Sequence, residues 1–215
     1  MRGNGFPDPS AIPAARGSLR AELRIPDDAP IVLYVGRIAA GKGIEHLLEA
    51  ARRLEGIHLV LAGPDDRHGT MDLVRSAQSA PATAGLVHVL PPTTEPPLQL
   101  YPEADVFVLA SSGDSFGMVA AEAAAAGTPV VVTDRAGVAG FFLDGEVVVV
   151  PDEREAIVSA IAHVLEDGAL RETLAKGGRE AARRMSWDRV AETQERIYRA
   201  AASRTAVTKA STDGP

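Results

Sequence analysis

The chain has 215 residues, 46% of them hydrophobic and 24% charged, which is enough for one large domain with a substantial core. Its formal net charge of −7 argues against broad binding to nucleic acid or anionic lipid, although it leaves room for a local basic site that takes a small anion. There is no cysteine, which excludes disulfides and thiolate metal sites and favours a reducing, cytoplasmic location. No apolar run is near the roughly 20 residues that a transmembrane helix needs.

The two ends of the chain differ from its middle. Prolines and glycines in residues 1–17 predict a linker or arm, and the small polar residues of 202–215 predict a disordered tail. Residues 18–201 alternate strand and helix patterns and are predicted to form the folded domain.

The middle segment predicts an α/β fold. In chain order the patterns predict a strand at 31–35, a helix at 44–54, a strand at 58–62, a helix at 71–79, a strand at 87–90, a helical turn at 98–101, a strand at 106–109, a helix at 118–126, strands at 130–133 and 147–150, and helices at 154–166, 170–184 and 187–202. Strands that alternate with helices form right-handed crossovers, so the prediction is a Rossmann-like, doubly wound parallel sheet. Ligands bind such sheets beyond the carboxyl ends of the strands, near the point where the strand order switches direction.

The turn after the first strand, VGRIAAGKG, is basic and rich in glycine. It matches seven positions of a phosphate-binding P-loop, but Gly43 stands where that loop needs Ser or Thr to hold Mg²⁺. Arg37 and Lys42 lie just before a predicted helix start, where exposed amides and the helix dipole attract anions. The turn is therefore predicted to bind an anion without a metal, with two solvated surface cations as the alternative.

A second turn, SSGDSFGMVAAEAAAAGTPVV, follows the strand at 106–109. Gly117 would let a ligand approach the backbone at the helix start, where the amides of Met118 and Val119 point outward. Asp114 precedes this helix and Glu122 lies within it, so both carboxylates could face the same cleft. The alternative is that Asp114 caps the helix and Glu122 is solvated.

Taken together, these motifs resemble the nucleotide-binding half of retaining glycosyltransferases of the GT-B fold, specifically glycosyltransferase family 4. The resemblance covers roughly residues 3–201 and also includes NGF with Pro7 and Asp8, which looks like the family's opening linker. It rests on three stretches, VLYVGRIAAGKGIEHLLEAARRL, LYPEADVFVLASSGDSFGMVAAEAAAAGTPVVVTD and SWDRVAETQERIYRAA.

The resemblance implies that Arg37 and Lys42 bind the diphosphate of a nucleotide sugar, beside Gly36. Fixed cations can stabilise the negative charge that grows on a departing nucleoside diphosphate. The family's Glu-x₇-Glu signature matches Asp114 and Glu122. It implies that Glu122 binds the ribose hydroxyls and that Asp114 lies by the donor sugar, although Asp is one methylene shorter than the family's Glu.

The remaining implied contacts are mainly with the backbone. Phe116 and Gly117 match the family's Phe-Gly, whose following amides, here Met118 and Val119, touch sugar and phosphate; Ser115 lies beside them, and Phe116 could equally be core. The base would lie against the strand end at Leu90 and Pro91, and no side chain there identifies it.

Two further segments carry no predicted binding role. The segment 136–140 lacks the Pro and Glu that the family often has there and receives no role. Trp187 is predicted to anchor the last helix.

The resemblance also implies a missing partner. Family members have two such domains with the reaction in the cleft between them, so the acceptor-binding half would lie upstream of this chain, which could be a cut piece or a natural single domain. The prediction is the donor-binding half of a retaining hexosyltransferase that needs no cofactor or metal and, alone, binds its nucleotide sugar without efficient turnover. Two alternatives stay open: a non-catalytic nucleotide-sugar-binding module, and another GT-B enzyme such as a sugar-nucleotide epimerase.

Overall fold

The computed structural model describes residues 6–14, 17–92 and 97–212. Six strands form one parallel sheet, which confirms the predicted α/β class. The strands are β1 (Ile31–Val35), β2 (His58–Ala62), β3 (Val87–Leu90), β4 (Val106–Leu109), β5 (Val130–Thr133) and β6 (Val148–Val150). Their order is β3-β2-β1-β4-β5-β6, so the strand order reverses direction between β1 and β4.

Helices connect and cover these strands. They are α1 (Ser18–Leu23), α2 (Ile44–Arg53), α3 (Thr70–Ser79), α4 (Met118–Ala126), α5 (Arg154–Glu166), α6 (Gly168–Arg184) and α7 (Trp187–Thr212). Where an element was predicted, most boundaries agree within a residue or two. The start of α6 is earlier because the Asp167 side chain accepts a hydrogen bond from the amide of Leu170 at 2.9 Å and caps the helix.

Several short elements differ from the prediction. Helix α1 was not predicted, and neither was a 3₁₀ turn at Gly137–Phe141. The helical turn expected at 98–101 is instead two 3₁₀ turns, Pro97–Gln99 and Tyr101–Glu103. Pro102 lacks the N–H that a continuous helix would need there.

The core lies on both faces of the sheet. Along β1, Val32 and Tyr34 face the layer that contains α2 and α5, whereas Ile31, Leu33 and Val35 face the layer that contains α4 and α6. All five side chains are at most 7% exposed, as expected for a central strand between two helical layers. The buried central strands therefore fix the positions at which the turns that follow them begin.

The structure describes part of each predicted chain end. Phe6 is 1% exposed, and its amide donates to the carbonyl of Met185 at 2.7 Å, so the described part of the arm is fixed to the domain. Helix α7 continues to Thr212, within the segment predicted as a tail, and the prediction of disorder there stays a prediction. Residues 213–215 lie outside the described residues, as do the Asn-Gly positions of the opening linker. No helix among the described residues combines the length and apolarity that crossing a membrane requires.

Trp187 does not anchor the last helix, because its side chain is 53% exposed at the start of α7. The chain is instead held just before this helix, where the backbones of Ser186 and Phe6 form an isolated parallel β-bridge. The prediction about Trp187 is wrong because an aromatic residue at a helix start carries no signal of which side it faces.

Candidate functional site

The two turns singled out in the sequence lie side by side at the carboxyl edge of the sheet. One follows β1 and the other follows β4, the neighbouring strands at which the strand order switches direction. A cavity of about 400 Å³ lies between them. Its lining includes Gly36, Arg37, Lys42, Asp114, Ser115, Phe116, Gly117, Met118 and Val119. The structure thus brings these predicted site residues together, and their binding roles stay predictions.

Lys42 and Asp114 form an ion pair in the wall of this cavity. The Lys42 Nζ lies 2.8 Å from the Asp114 Oδ2, and the two side chains are only 18% and 21% exposed. The other oxygen, Asp114 Oδ1, accepts from the amide of Phe116 at 3.3 Å. Each carboxylate oxygen therefore accepts one hydrogen bond. The residue that caps α4 is Gly117, so Asp114 stabilises the turn before the helix and does not cap the helix itself.

Arg37 is placed differently from Lys42. It is exposed, and it has no ion pair within the described part of the chain. Its backbone carbonyl accepts a hydrogen bond from the Tyr34 hydroxyl at 2.7 Å. Burial, with a smaller contribution from the Asp114 charge, raises the pKa of Tyr34, so this hydroxyl stays protonated and can donate. The Arg37 guanidinium is thus free to bind an anion while its backbone is fixed.

Tyr34 was missed as a site residue in the sequence. It lies in an unbroken apolar run, where the pattern indicates only a buried strand, yet it lines the cavity.

Backbone contacts tie the two turns to each other. The carbonyl of Gly41 accepts from the amide of Ser112 at 3.0 Å and from the Ser111 hydroxyl at 3.2 Å. The carbonyl of Ser111 in turn accepts from the Thr133 hydroxyl at 2.6 Å, which adds the end of β5 to the network. Residues this far apart in the chain give no sequence signal of such contacts. The network makes the cation-bearing turn and the carboxylate-bearing turn one unit.

Gly43 is required by close packing as well as by turn geometry. It begins α2 with a left-handed φ of 70°, and a Cβ placed on it would lie 2.0 Å from the carbonyl oxygen of Ala110. A Ser or Thr side chain would not fit there. The structure therefore explains why the resemblance to a P-loop ends at this position.

The start of α4 presents backbone donors to the same cavity. Gly117 has a φ of 92°, and a Cβ there would lie 2.8 Å from the Leu109 Cδ2, so only glycine fits without displacement. The amides of Met118 and Val119 belong to the first turn, which has no acceptors within the helix, and both residues line the cavity. This geometry suits an anionic or hydroxyl-bearing ligand.

The segment 136–140, to which no role was given, supports the second turn. The backbones of Asp114 and Ala136 form an isolated parallel β-bridge, and the amide of Gly137 donates to the Asp114 carbonyl at 3.0 Å. The backbone of Asp114 is therefore fixed from the neighbouring strand end, which accounts for this segment without a direct binding role.

Glu122 is set apart from the other predicted residues. Its carboxylate accepts a 2.6 Å hydrogen bond from the Tyr101 hydroxyl, and it is not among the described residues that line either cavity at this edge. Burial raises the pKa of Glu122, and the hydrogen bond from Tyr101 opposes part of that rise. Tyr101, which is fully buried, gave no sign in the sequence that it would contact a predicted site residue.

A second cavity of about 520 Å³ adjoins the first. Leu90 and Pro91, where the base was predicted, line it together with apolar residues of the segment that precedes β4. The two cavities share Val35, Gly36 and Arg37 in their linings. The Gly36-Arg37 turn thus separates a charged compartment from a more apolar one.

Comparison with known proteins agrees with this architecture. The family model described as "Glycosyl transferases group 1" matches residues 15–181, most of the chain. The chain belongs to the group 1 glycosyltransferases. Among relatives of this glycosyltransferase chain, D-inositol 3-phosphate glycosyltransferase of Xylanimonas cellulosilytica is 36% identical over 197 residues, covering 88% of this chain and 47% of the relative. Lipopolysaccharide core biosynthesis glycosyltransferase LpsE of Rhizobium meliloti is 36% identical over 165 residues, covering 75% and 47% respectively.

Solved structures of glycosyltransferases share the fold. Sucrose-phosphate synthase from Thermosynechococcus elongatus matches with a TM-score of 0.78 and 30% identity, covering 93% of this glycosyltransferase chain and 52% of that one. The C-terminal domain of the group 1 glycosyltransferase LpcC from Francisella tularensis matches with a TM-score of 0.69 over 81% of this chain and 95% of that one; at 21% identity it shows the fold alone. The chain therefore spans about half the length of the curated relatives it matches.

Proposed function

We propose that this chain is the donor-binding half of a retaining glycosyltransferase, which transfers a hexose from a nucleotide-diphosphate sugar to an acceptor. One observation carries the proposal: Arg37, Lys42 and the start of α4 converge on one cavity at the switch point of the sheet. Two cations and a set of free amides form the environment that a diphosphate requires. The adjoining cavity at Leu90 is the compartment assigned to the base.

The chemistry assigned to this site is leaving-group stabilisation. When the bond from the sugar to the diphosphate breaks, negative charge grows on the phosphate oxygen. Arg37 can grip a phosphate with parallel donors, and Lys42 adds a point charge. Fixed cations of this kind make a metal unnecessary, so metal independence is part of the proposal. Glu122 is proposed to bind the ribose, which requires its carboxylate to leave, or share, the hydrogen bond with Tyr101.

The acceptor-binding half is proposed to lie in the part of the relatives that this chain does not match. Half a cleft cannot exclude water or orient an acceptor, so the isolated chain is expected to bind its donor without efficient transfer. The cytoplasmic location expected from the sequence stays a prediction.

The test is a titration of the chain by calorimetry with uridine, guanosine and adenosine and with their diphosphates, each with EDTA and with Mg²⁺. At least one diphosphate should bind far better than its nucleoside, EDTA should not abolish binding, and added salt should weaken it. Arg37→Ala should cost about 1.5–3 kcal/mol of diphosphate affinity, as expected for a charged hydrogen bond, and Lys42→Ala should also weaken binding.

Matched controls remove the same charge away from the cavity. Arg75→Ala on α3 and Lys176→Ala on α6 change exposed cations whose partners are Asp72 and Glu180. These variants should bind the diphosphate as the unaltered chain does. Diphosphate binding that appears only with Mg²⁺ would contradict the proposed clamp and favour a metal-dependent phosphate site.

A further inference from the structure

The ion pair between Lys42 and Asp114 raises a question about the proposed diphosphate clamp. One of the two clamp cations already faces an anion at 2.8 Å, in a wall that is about four-fifths shielded from solvent, whereas the exposed Arg37 has no ion pair within the described residues. A phosphate that approaches Lys42 meets a local charge that is largely neutralised. The two cations are therefore not equivalent partners.

Asp114 has further contacts that keep its carboxylate beside Lys42. Its Oδ1 accepts from the Phe116 amide at 3.3 Å, and its carbonyl accepts from the Gly137 amide at 3.0 Å. Lys42, by contrast, has a long flexible stem, and its ammonium keeps two further donors when one is used. Any adjustment on ligand binding therefore falls to Lys42.

From this geometry, which takes the proposed function as its basis, we infer that Asp114 is an internal competitor of the diphosphate for Lys42 and is not a ligand of the donor sugar. Tetrahedral donors on Nζ place a phosphate oxygen roughly 4.5 Å from the Asp114 carboxylate. Two negative charges at that separation repel, so Asp114 weakens the nucleoside diphosphate in the site. The residue thereby favours release of the diphosphate product while it holds Lys42 against the cavity wall.

Asp114→Asn tests this inference directly, because Asn removes the charge but keeps an oxygen for the Phe116 amide. We expect about tenfold tighter binding of the nucleoside diphosphate that the unaltered chain prefers, measured by calorimetry at low salt. The matching nucleotide glucose should tighten by the same factor, so that the ratio of the two affinities is unchanged. In a Lys42→Met background the competition for Lys42 is absent but the repulsion between the two negative charges remains, so Asp114→Asn should still tighten diphosphate binding.

A second uncharged variant protects the test against misfolding. Ser at position 114 can also accept from the Phe116 amide, so Asp114→Ser should tighten diphosphate binding in the same way. Asp105→Asn is the matched control: it removes the charge from another partly exposed ion pair, with Arg20 at 3.1 Å, which lies at the amino edge of the sheet. It should leave diphosphate affinity unchanged.

The outcomes separate this inference from the proposed function. If the unaltered chain binds none of the nucleoside diphosphates, the proposed function fails. If it binds one, but both uncharged variants leave that affinity unchanged or weaken it, only the competitor role is overturned. A selective loss of affinity for the nucleotide glucose would overturn it too, because Asp114 would then be a sugar ligand.

Discussion

At the scale of single residues, the two carboxylates of the Glu-x₇-Glu-like signature have different surroundings. Asp114 is paired with a cation, whereas Glu122 is half-buried and paired with the neutral hydroxyl of Tyr101. At Glu122, a ribose hydroxyl can replace the tyrosine hydroxyl without a change of charge, because both hydroxyls are neutral. At Asp114, a ribose hydroxyl would replace a cation and leave the carboxylate charge unpaired. This difference supports a binding role for Glu122 that is distinct from the role of Asp114.

Removal of the Glu122 carboxylate tests that role. Glu122→Ala should cost about 1.5–3 kcal/mol of nucleoside diphosphate affinity, because a charged hydrogen bond to the ribose is lost. Glu172→Ala, on the exposed side of α6, is the matched control and should have no effect. Affinity measured by calorimetry that stays unchanged in Glu122→Ala, with an intact circular dichroism spectrum, would exclude the assignment to ribose.

Two glycines of the basic turn allow the packing at Gly43 to be measured. Gly41 and Gly43 have similar φ values of 75° and 70°, but a Cβ on Gly41 meets nothing within 4 Å, whereas one on Gly43 meets the Ala110 carbonyl. Gly41→Ala should lower the free energy of unfolding by about 1–2 kcal/mol, from backbone strain alone. Gly43→Ala should lower it by about 3 kcal/mol or more, because overpacking adds to the strain. Equal losses in urea unfolding would show that the close approach is unimportant.

At the scale of elements, the pairing of β2 with β3 brings two histidines together at the sheet edge. His58 Nδ1 and His88 Nε2 are 2.9 Å apart, and the rings stack at 5.2 Å. Burial lowers the pKa of both imidazoles; the Arg20 charge adds to the effect on His58, and the His58 charge adds to that on His88. The folded chain therefore favours the neutral rings.

This pair predicts a pH-dependent stability. Because both pKa values are lower in the folded state, the unfolded chain binds more protons below the ordinary histidine pKa of about 6.5. The contribution of the neutral histidine pair to the free energy of unfolding is thus complete above that pH. It is lost as the pH falls toward the lowered pKa values. The free energy of unfolding in urea should fall between pH 7.5 and 5.5, and fall less in His88→Val. His68→Gln, an exposed control, should retain the full dependence.

At the scale of the whole molecule, the N-terminal arm is linked to the site through aromatic contacts. Phe6 packs edge-on against Phe142 and Phe116, with ring centroids 5.4 and 6.4 Å away. Phe116 belongs to the turn that carries Asp114 and lines the charged cavity. The arm therefore packs against the turn that carries Asp114 and stabilises it through Phe116.

Truncation of Phe6 should affect both stability and binding. Phe6→Ala should lower the free energy of unfolding by about 3–5 kcal/mol, as expected for a fully buried aromatic side chain. Diphosphate affinity should also fall, because Phe116 loses support. Phe141→Ala removes another neighbour of Phe116, but one that is 39% exposed, so it should cost less stability. If thermal unfolding shows equal losses for both variants, the arm is not part of the core.

Local patterns in the sequence predicted most of this architecture. Buried strands are short apolar runs, and in helices apolar residues recur every three or four positions. Both signals are therefore contained within single segments of the chain. The same holds for the two site turns, whose glycines and charges are close together in the chain. The order of elements also implied the carboxyl edge of the sheet as the place of the site, because parallel strands all end there.

Long-range contacts were decided by the tertiary structure alone. The ion pair of Lys42 with Asp114, the hydrogen bond of Tyr101 with Glu122 and the network through Gly41 join residues from different turns, so no segment contains the signal. The sequence by itself determined the family, the sheet and the identity of the charged turns. Only the folded structure decided which charges are free and which are paired. Ion pairing depends on the distance between side chains and on their burial, and these quantities exist only once the chain is folded.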